Sequence, residues 1–150
     1  MWHKNLKLLI VDDEKDICAS AQAYFVKRGL NVSTAGSGLD ALFVIPIFKP
    51  DVIILDLTLN DLNGVDVLRK LRENDRETKV IVITGNLYPQ ERIEEISALG
   101  VSAYLNKVRF GLAELEEIIN RVTGNKITSR KVKTETNIPA SQKTRPRARS

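Results

Sequence analysis

Short β-branched or leucine-rich runs, separated by segments of helical spacing, recur five times within residues 1–123. Nothing else in the chain limits the fold so strongly. Residues 6–11 end at Asp12-Asp13, 52–55 at Asp56, 80–83 at Thr84-Gly85 and 101–105 at Asn106-Lys107, while 31–35 form a weaker, half-polar run. The runs VIIL and VIVI are apolar at consecutive positions, as strands covered on both faces require. Between the runs lie helical patterns. Residues 15–28 put Ile17, Ala21, Tyr24 and Phe25 on one face, with Gly29 as a stop. A short helix runs from Leu39 towards Ile45, closed by Pro46 and Pro50. Residues 64–73 turn Val65, Leu68 and Leu71 inward. Ile93, Ile96 and Leu99 share a face in 90–99, as do Leu115, Ile118, Ile119 and Val122 in 112–122. Strict alternation of strand and helix predicts an α/β domain with a parallel sheet and helices on both faces.

The charge is unevenly spread. Residues 124–150 hold eight basic residues and one acid, a balance of +7, whereas residues 1–123 carry 15 basic and 18 acidic residues, a balance of −3. The overall +4 therefore describes neither part. From Thr123 onward only Ile127, Val132 and Ile138 interrupt polar and basic residues, too few to offset ordering entropy. The expected organisation is a folded unit at 1–123 followed by a disordered basic tail at 124–150. No apolar run approaches the ~20 residues that cross a bilayer, and residues 1–5 lead into the first run without a signal-peptide cleavage pattern. Cys18 is the only cysteine and His3 the only histidine, which argues against disulfides, a structural zinc site and a histidine-based triad. The expectation is a cytoplasmic protein without membrane contact.

In an open parallel sheet, ligands bind beyond the C-terminal strand ends. That edge collects Asp12, Asp13 and Glu14, then Asp56, Thr84 and Lys107. Each alone fits a plainer role: Asp13 a helix cap, Glu14 a partner of the helix dipole, Asp56 a turn residue, Lys107 a solvated charge. Their convergence from four strands on one edge does not. Clustered carboxylates repel, and a cation relieves the repulsion. Oxygen ligands without His or Cys favour Mg²⁺. A carboxylate can attack phosphorus to form an acyl phosphate, and an amine and a hydroxyl suit the new phosphoryl oxygens.

The motifs LLIVDDE at 8–14, DVIILDLTLNDLNGVDVL at 51–68, KVIVITG at 79–85 and GVSAYLNK at 100–107 resemble the receiver domain of two-component response regulators, over about residues 5–122. The resemblance implies a flavodoxin-like, doubly wound five-stranded parallel sheet in the order 2-1-3-4-5, and a chemotaxis-regulator-like single-domain form. It assigns Asp56 as phosphoacceptor, with Asp12 and Asp13 as the acidic pair that holds Mg²⁺ and the Thr58 backbone carbonyl completing the metal shell. It assigns Thr84 as the switch hydroxyl, Lys107 as the phosphate-binding lysine and Tyr104 as the aromatic that moves inward with the hydroxyl. A sensor histidine kinase, a phosphotransfer protein or a small phosphodonor would supply the phosphoryl group. The readout would be a downstream protein contacting residues 89–122. The chain would catalyse nothing beyond its own phosphorylation and dephosphorylation. Two departures stand out. Val108 replaces the proline that usually follows the lysine on a cis bond; a non-proline cis bond costs about 3 kcal/mol, so a trans bond and a differently aimed Lys107 are expected. Asn60 stands where the loop after Asp56 commonly has proline.

Rival readings are weaker. Gly36-Ser37-Gly38-Leu39-Asp40-Ala41 fits a dinucleotide-binding turn, but it follows the least apolar strand instead of a central one. The chain lacks a P-loop. The basic tail fits nucleic acid or an acidic partner by charge, yet it holds no aromatic residue for base stacking and no helix-turn-helix pattern. The reading reached is a stand-alone receiver signalling by protein contact; the alternatives are a receiver with a binding tail, or a fragment of a longer regulator.

Overall fold

The computed structural model describes residues 5–107 and 111–124. Five strands, β1 (Lys7–Val11), β2 (Asn31–Ala35), β3 (Val52–Asp56), β4 (Lys79–Thr84) and β5 (Ala103–Asn106), alternate with five helices. The helices are α1 (Lys15–Val26), α2 (Gly38–Phe48), α3 (Gly64–Asn74), α4 (Gln90–Ser97) and α5 (Leu112–Thr123). The strands form one parallel sheet in the order β2-β1-β3-β4-β5, as expected. The tail lies outside the described residues from 125 onward.

Strand alternation divides the core into two layers. Leu8, Ile10, Val52, Ile54, Ile81 and Ile83 face α1 and α5, meeting Cys18, Ala21, Phe25, Leu115 and Ile119. Leu9, Val11, Ile53, Leu55, Val80 and Val82 face the other way, against Ala41, Val65, Leu68, Leu71 and Ile96 of α2, α3 and α4. Burial on both sides is why the central strands read as unbroken apolar runs.

Two local expectations fail. Pro46 does not close α2, which continues to Phe48. So near the helix end, the proline removes one amide bond only; Lys49 then ends the helix with φ 54° and an N–H bond to Ile45 O of 2.8 Å. In α1 the buried positions are Cys18, Ala21 and Phe25. Ile17, expected inward, is 37% exposed and lines a cavity of about 320 Å³ between α1 and α5.

Candidate functional site

The C-terminal edge of the sheet gathers the charged side chains. Asp12 follows β1, and its N–H donates to Ala35 O at 3.1 Å, which extends the β1–β2 ladder by one step. Asp56 ends β3 in register with Ile83 of β4. Lys107 follows β5, and its N–H donates to Thr84 O at 2.8 Å, tying the last two strand ends together. Asp12 and Asp56 are buried, at 6% and 2% exposure.

The Lys107 ammonium lies 2.9 Å from Asp56 Oδ2, 3.1 Å from Asp12 Oδ2 and 3.3 Å from Glu14 Oε2. Lys107 therefore points into the crevice, as the phosphate-binding assignment requires; residue 108, on which the expectation of a different aim rests, lies outside the described residues. Burial works against the ammonium, but the hydrogen bonds to Asp56 and Asp12 outweigh it and hold its pKa above the ordinary lysine value. For Asp12, burial is the largest influence and raises its pKa, against the lowering pull of the Glu14 N–H and Lys107.

Oxygens of Asp12, Asp13 and Asp56 lie within 4.8 Å of one another. Three carboxylates at that spacing offer oxygen ligands that suit a hard divalent cation such as Mg²⁺. Thr58 holds Asp56 through groups other than the carbonyl: its N–H and Oγ1–H both donate to Asp56 Oδ1, at 2.9 and 2.8 Å. One Asp56 oxygen is thus held by Thr58 and the other by Lys107. The Glu14 N–H donates to Asp12 Oδ1 at 2.9 Å, and Cys18 Sγ donates to the Asp12 carbonyl at 3.2 Å. Spacing in the sequence signals neither the Cys18 contact nor the Thr58 hydroxyl.

Thr84 is buried at the end of β4, where its Oγ1 accepts from Asn86 N–H at 3.1 Å. Tyr104 does not join the acidic cluster. It packs against the layer formed with α2, α3 and α4, and its buried hydroxyl has no hydrogen-bond partner among the described residues. Burial raises the phenol pKa, and Tyr88 adds to the rise.

The loop from Asp56 to α3 carries two contacts that spacing did not reveal. Asp61 accepts from Gly38 N–H at 2.8 Å and Leu39 N–H at 2.9 Å, capping α2 from across the domain edge. Gly64 brings α3 so close to β3 that a Cβ there would stand 2.6 Å from Leu57 Cα and 2.8 Å from the Asp56 carbonyl oxygen.

Residues 8–120 match the model of the response regulator receiver domain. The chain belongs to this family. It is 32% identical over 115 residues to the probable transcriptional regulatory protein TcrX of Mycobacterium tuberculosis, covering 77% of this chain and 47% of the relative. It is 29% identical over 119 residues to the sporulation initiation phosphotransferase F of Bacillus subtilis, covering 78% and 93%. The chain thus spans about half the length of the transcriptional regulators it matches and nearly all of the phosphotransferase. Among solved structures, the receiver domain of the Francisella response regulator 1452 superposes with a TM-score of 0.71 at 32% identity, covering 80% of this chain and 98% of that one. The response regulator TrrA of Thermotoga maritima, solved in complex with Mg²⁺ and BeF, superposes with a TM-score of 0.68 at 27% identity, covering 80% and 99%.

The chain is thereby a receiver domain of two-component systems, a family of phosphoacceptors that work with histidine kinases or phosphotransfer proteins. Receivers bind Mg²⁺ at an acidic pocket, and the Asp12–Asp13–Asp56 group has the donor set for it. Among the described residues no helix is long and apolar enough to cross a membrane.

Proposed function

We propose that Asp56 accepts a phosphoryl group from a sensor histidine kinase or phosphotransfer protein, and that the resulting change is passed on by protein–protein contact. The observation that carries this reading is the placement of Asp56: almost fully buried, 2.9 Å from Lys107 and within 4.8 Å of two further carboxylates. A carboxylate oxygen forms the bond to phosphorus while the bond from phosphorus to the donor breaks, its electron pair leaving with the donor. Asp12 and Asp13, with Asp56 and the Thr58 carbonyl, would hold Mg²⁺, which when bound neutralises charge on the phosphoryl oxygens. Lys107 already contacts Asp56 and stays charged across the physiological range, so it can move its hydrogen bond onto a phosphoryl oxygen. Thr58 orients the carboxylate through Oδ1.

Thr84 is the proposed switch hydroxyl. Phosphorylation adds acceptor oxygens near the end of β4, and Thr84 would exchange its Asn86 contact for one of them. Tyr104, one strand over and paired with Val82, is the aromatic whose position would follow. Residues 89–122 are the proposed readout surface, and 1–123 the functional unit. A role for the basic tail in binding nucleic acid or an acidic partner is the weaker reading, with charge alone in its favour.

Mg²⁺-dependent labelling by a small acyl phosphate tests the proposal. Wild type should take up label and Asp56→Asn should not. Equal labelling of both, or none of the wild type, overturns it.

A further inference from the structure

Helix α2 lacks a polar face. Its sequence, GLDALFVIPIF, contains one charged residue, Asp40. A surface helix ordinarily sets apolar residues inward and polar residues outward. Here Ala41 is buried against the sheet, yet Leu39 is 62%, Phe43 71% and Ile47 69% exposed. These three stand at i, i+4 and i+8, a single ridge along the helix, and exposed Pro46 lies beside them. Together they present a few hundred Å² of contiguous apolar surface, the size at which an exposed patch marks an interaction site.

We propose that this ridge is a homodimer contact, with α2 of one copy packed antiparallel on α2 of a second about a two-fold axis at Phe43. The charges select this occupant. Asp40 stands exposed near the N-terminal end of the ridge and Lys49 exposed at its C-terminal end, and among the described residues neither side chain has an ion-pair partner. An antiparallel two-fold arrangement sets Leu39 of each copy against Ile47 of the other and Phe43 against Phe43. It brings Asp40 of each towards Lys49 of the other, and opposes the helix dipoles favourably. A contact of this kind is self-complementary, as a two-fold interface must be. The ridge alone falls short of the ~800 Å² per partner of a standard interface, so the dimer is weak and forms in the micromolar range. It lies on the opposite side of the sheet from α5, and so leaves that part of the proposed readout surface free.

Sedimentation velocity on the full chain over a concentration series is the test. Wild type should show a weight-average mass rising from monomer towards dimer, and Phe43→Asp should remain monomeric with an unchanged melting temperature. Register is checked by cross-linking in a Cys18→Ser background. Leu39→Cys mixed with Ile47→Cys should form disulfide-linked dimers several-fold more efficiently than either variant alone, and Phe43→Cys should link to itself. A wild type that stays monomeric throughout, a Phe43→Asp variant that dimerises like wild type, or Leu39→Cys linking to itself as well as to Ile47→Cys would each overturn the proposal. A monomer would assign the ridge to a different protein.

Discussion

Lys107 Nζ and Asp56 Oδ2 lie 2.9 Å apart across the end of the sheet, a cation and a carboxylate that are both largely withdrawn from water. The same ammonium serves Asp12. Removing it with Lys107→Met leaves two buried carboxylates facing each other without a counter-charge. Breaking one partner out of a buried pair is strongly destabilising, so the variant should lose about 3 kcal/mol in the absence of divalent ions. Millimolar Mg²⁺ should restore more stability to the variant than to wild type, because the added cation replaces the missing one. Urea denaturation with and without Mg²⁺ measures both effects; equal Mg²⁺ responses would contradict the shared-charge account.

Asp61 provides a pH signature of the link between the phosphoacceptor loop and α2. Hydrogen bonds from the Leu39 and Gly38 N–H groups lower its pKa from 3.8 to about 2. A carboxylate whose folded pKa lies below its unfolded value stabilises the fold above the unfolded value, and that stabilisation is lost as pH falls. The window here runs from about 4 down to about 2. Asp61→Asn has no carboxylate to titrate, so the stability gap between wild type and variant should be widest at neutral pH. It should close as pH falls through the window, as thermal melts over a pH series would show.

Asp12, Asp56 and Lys107 were legible as a group because parallel strands all end on one edge, so the residue after each apolar run must lie there. The two-layer core follows from the same alternation, whereas the strand order is what the resemblance to receiver domains implies. What spacing could not show were contacts made across the chain. Arg72 sits on the α3 face beside Leu68 and Leu71, and its charge marks it as exposed in any periodicity argument, yet it is 6% exposed. Its partners are backbone carbonyls, which carry no sequence signature. The resemblance points to the Thr58 carbonyl, whereas its N–H and hydroxyl together hold Asp56 in this structure. Pro46 reads as a breaker in the sequence, because the capacity of a helix end to absorb one missing bond is invisible in composition.

Gly64→Ala tests whether the approach of α3 to β3 sets the site. The added Cβ meets the Leu57 backbone at 2.6 Å and the Asp56 carbonyl at 2.8 Å, and backbone cannot swing aside as a side chain can. The strain should destabilise by about 2–3 kcal/mol and shift Asp56 against Lys107. Acyl-phosphate labelling under conditions where the variant remains folded should be slower than wild type by several-fold. Unchanged labelling would separate the packing of α3 from the geometry of the site.

Arg72 allows the sharpest stability prediction because its partners are all identified. Nε donates to Leu99 O at 2.7 Å, Nη1 to Asp75 O at 3.0 Å, and Nη2 to Thr78 O at 2.9 Å and Gly100 O at 3.0 Å. One guanidinium thus ties the end of α3 to the loop before β4 and to the turn before β5. Burial lowers its pKa, but not enough to discharge it at neutral pH, since a guanidinium keeps its proton in proteins. Arg72→Met keeps the apolar stem and strands four carbonyls, so it should cost about 3 kcal/mol. Arg72→Lys should recover only part of this, because an ammonium cannot span carbonyls spread around a planar fork. Chemical denaturation ranks the three proteins. If Lys performs as well as Arg, charge alone and not the fork geometry holds these loops.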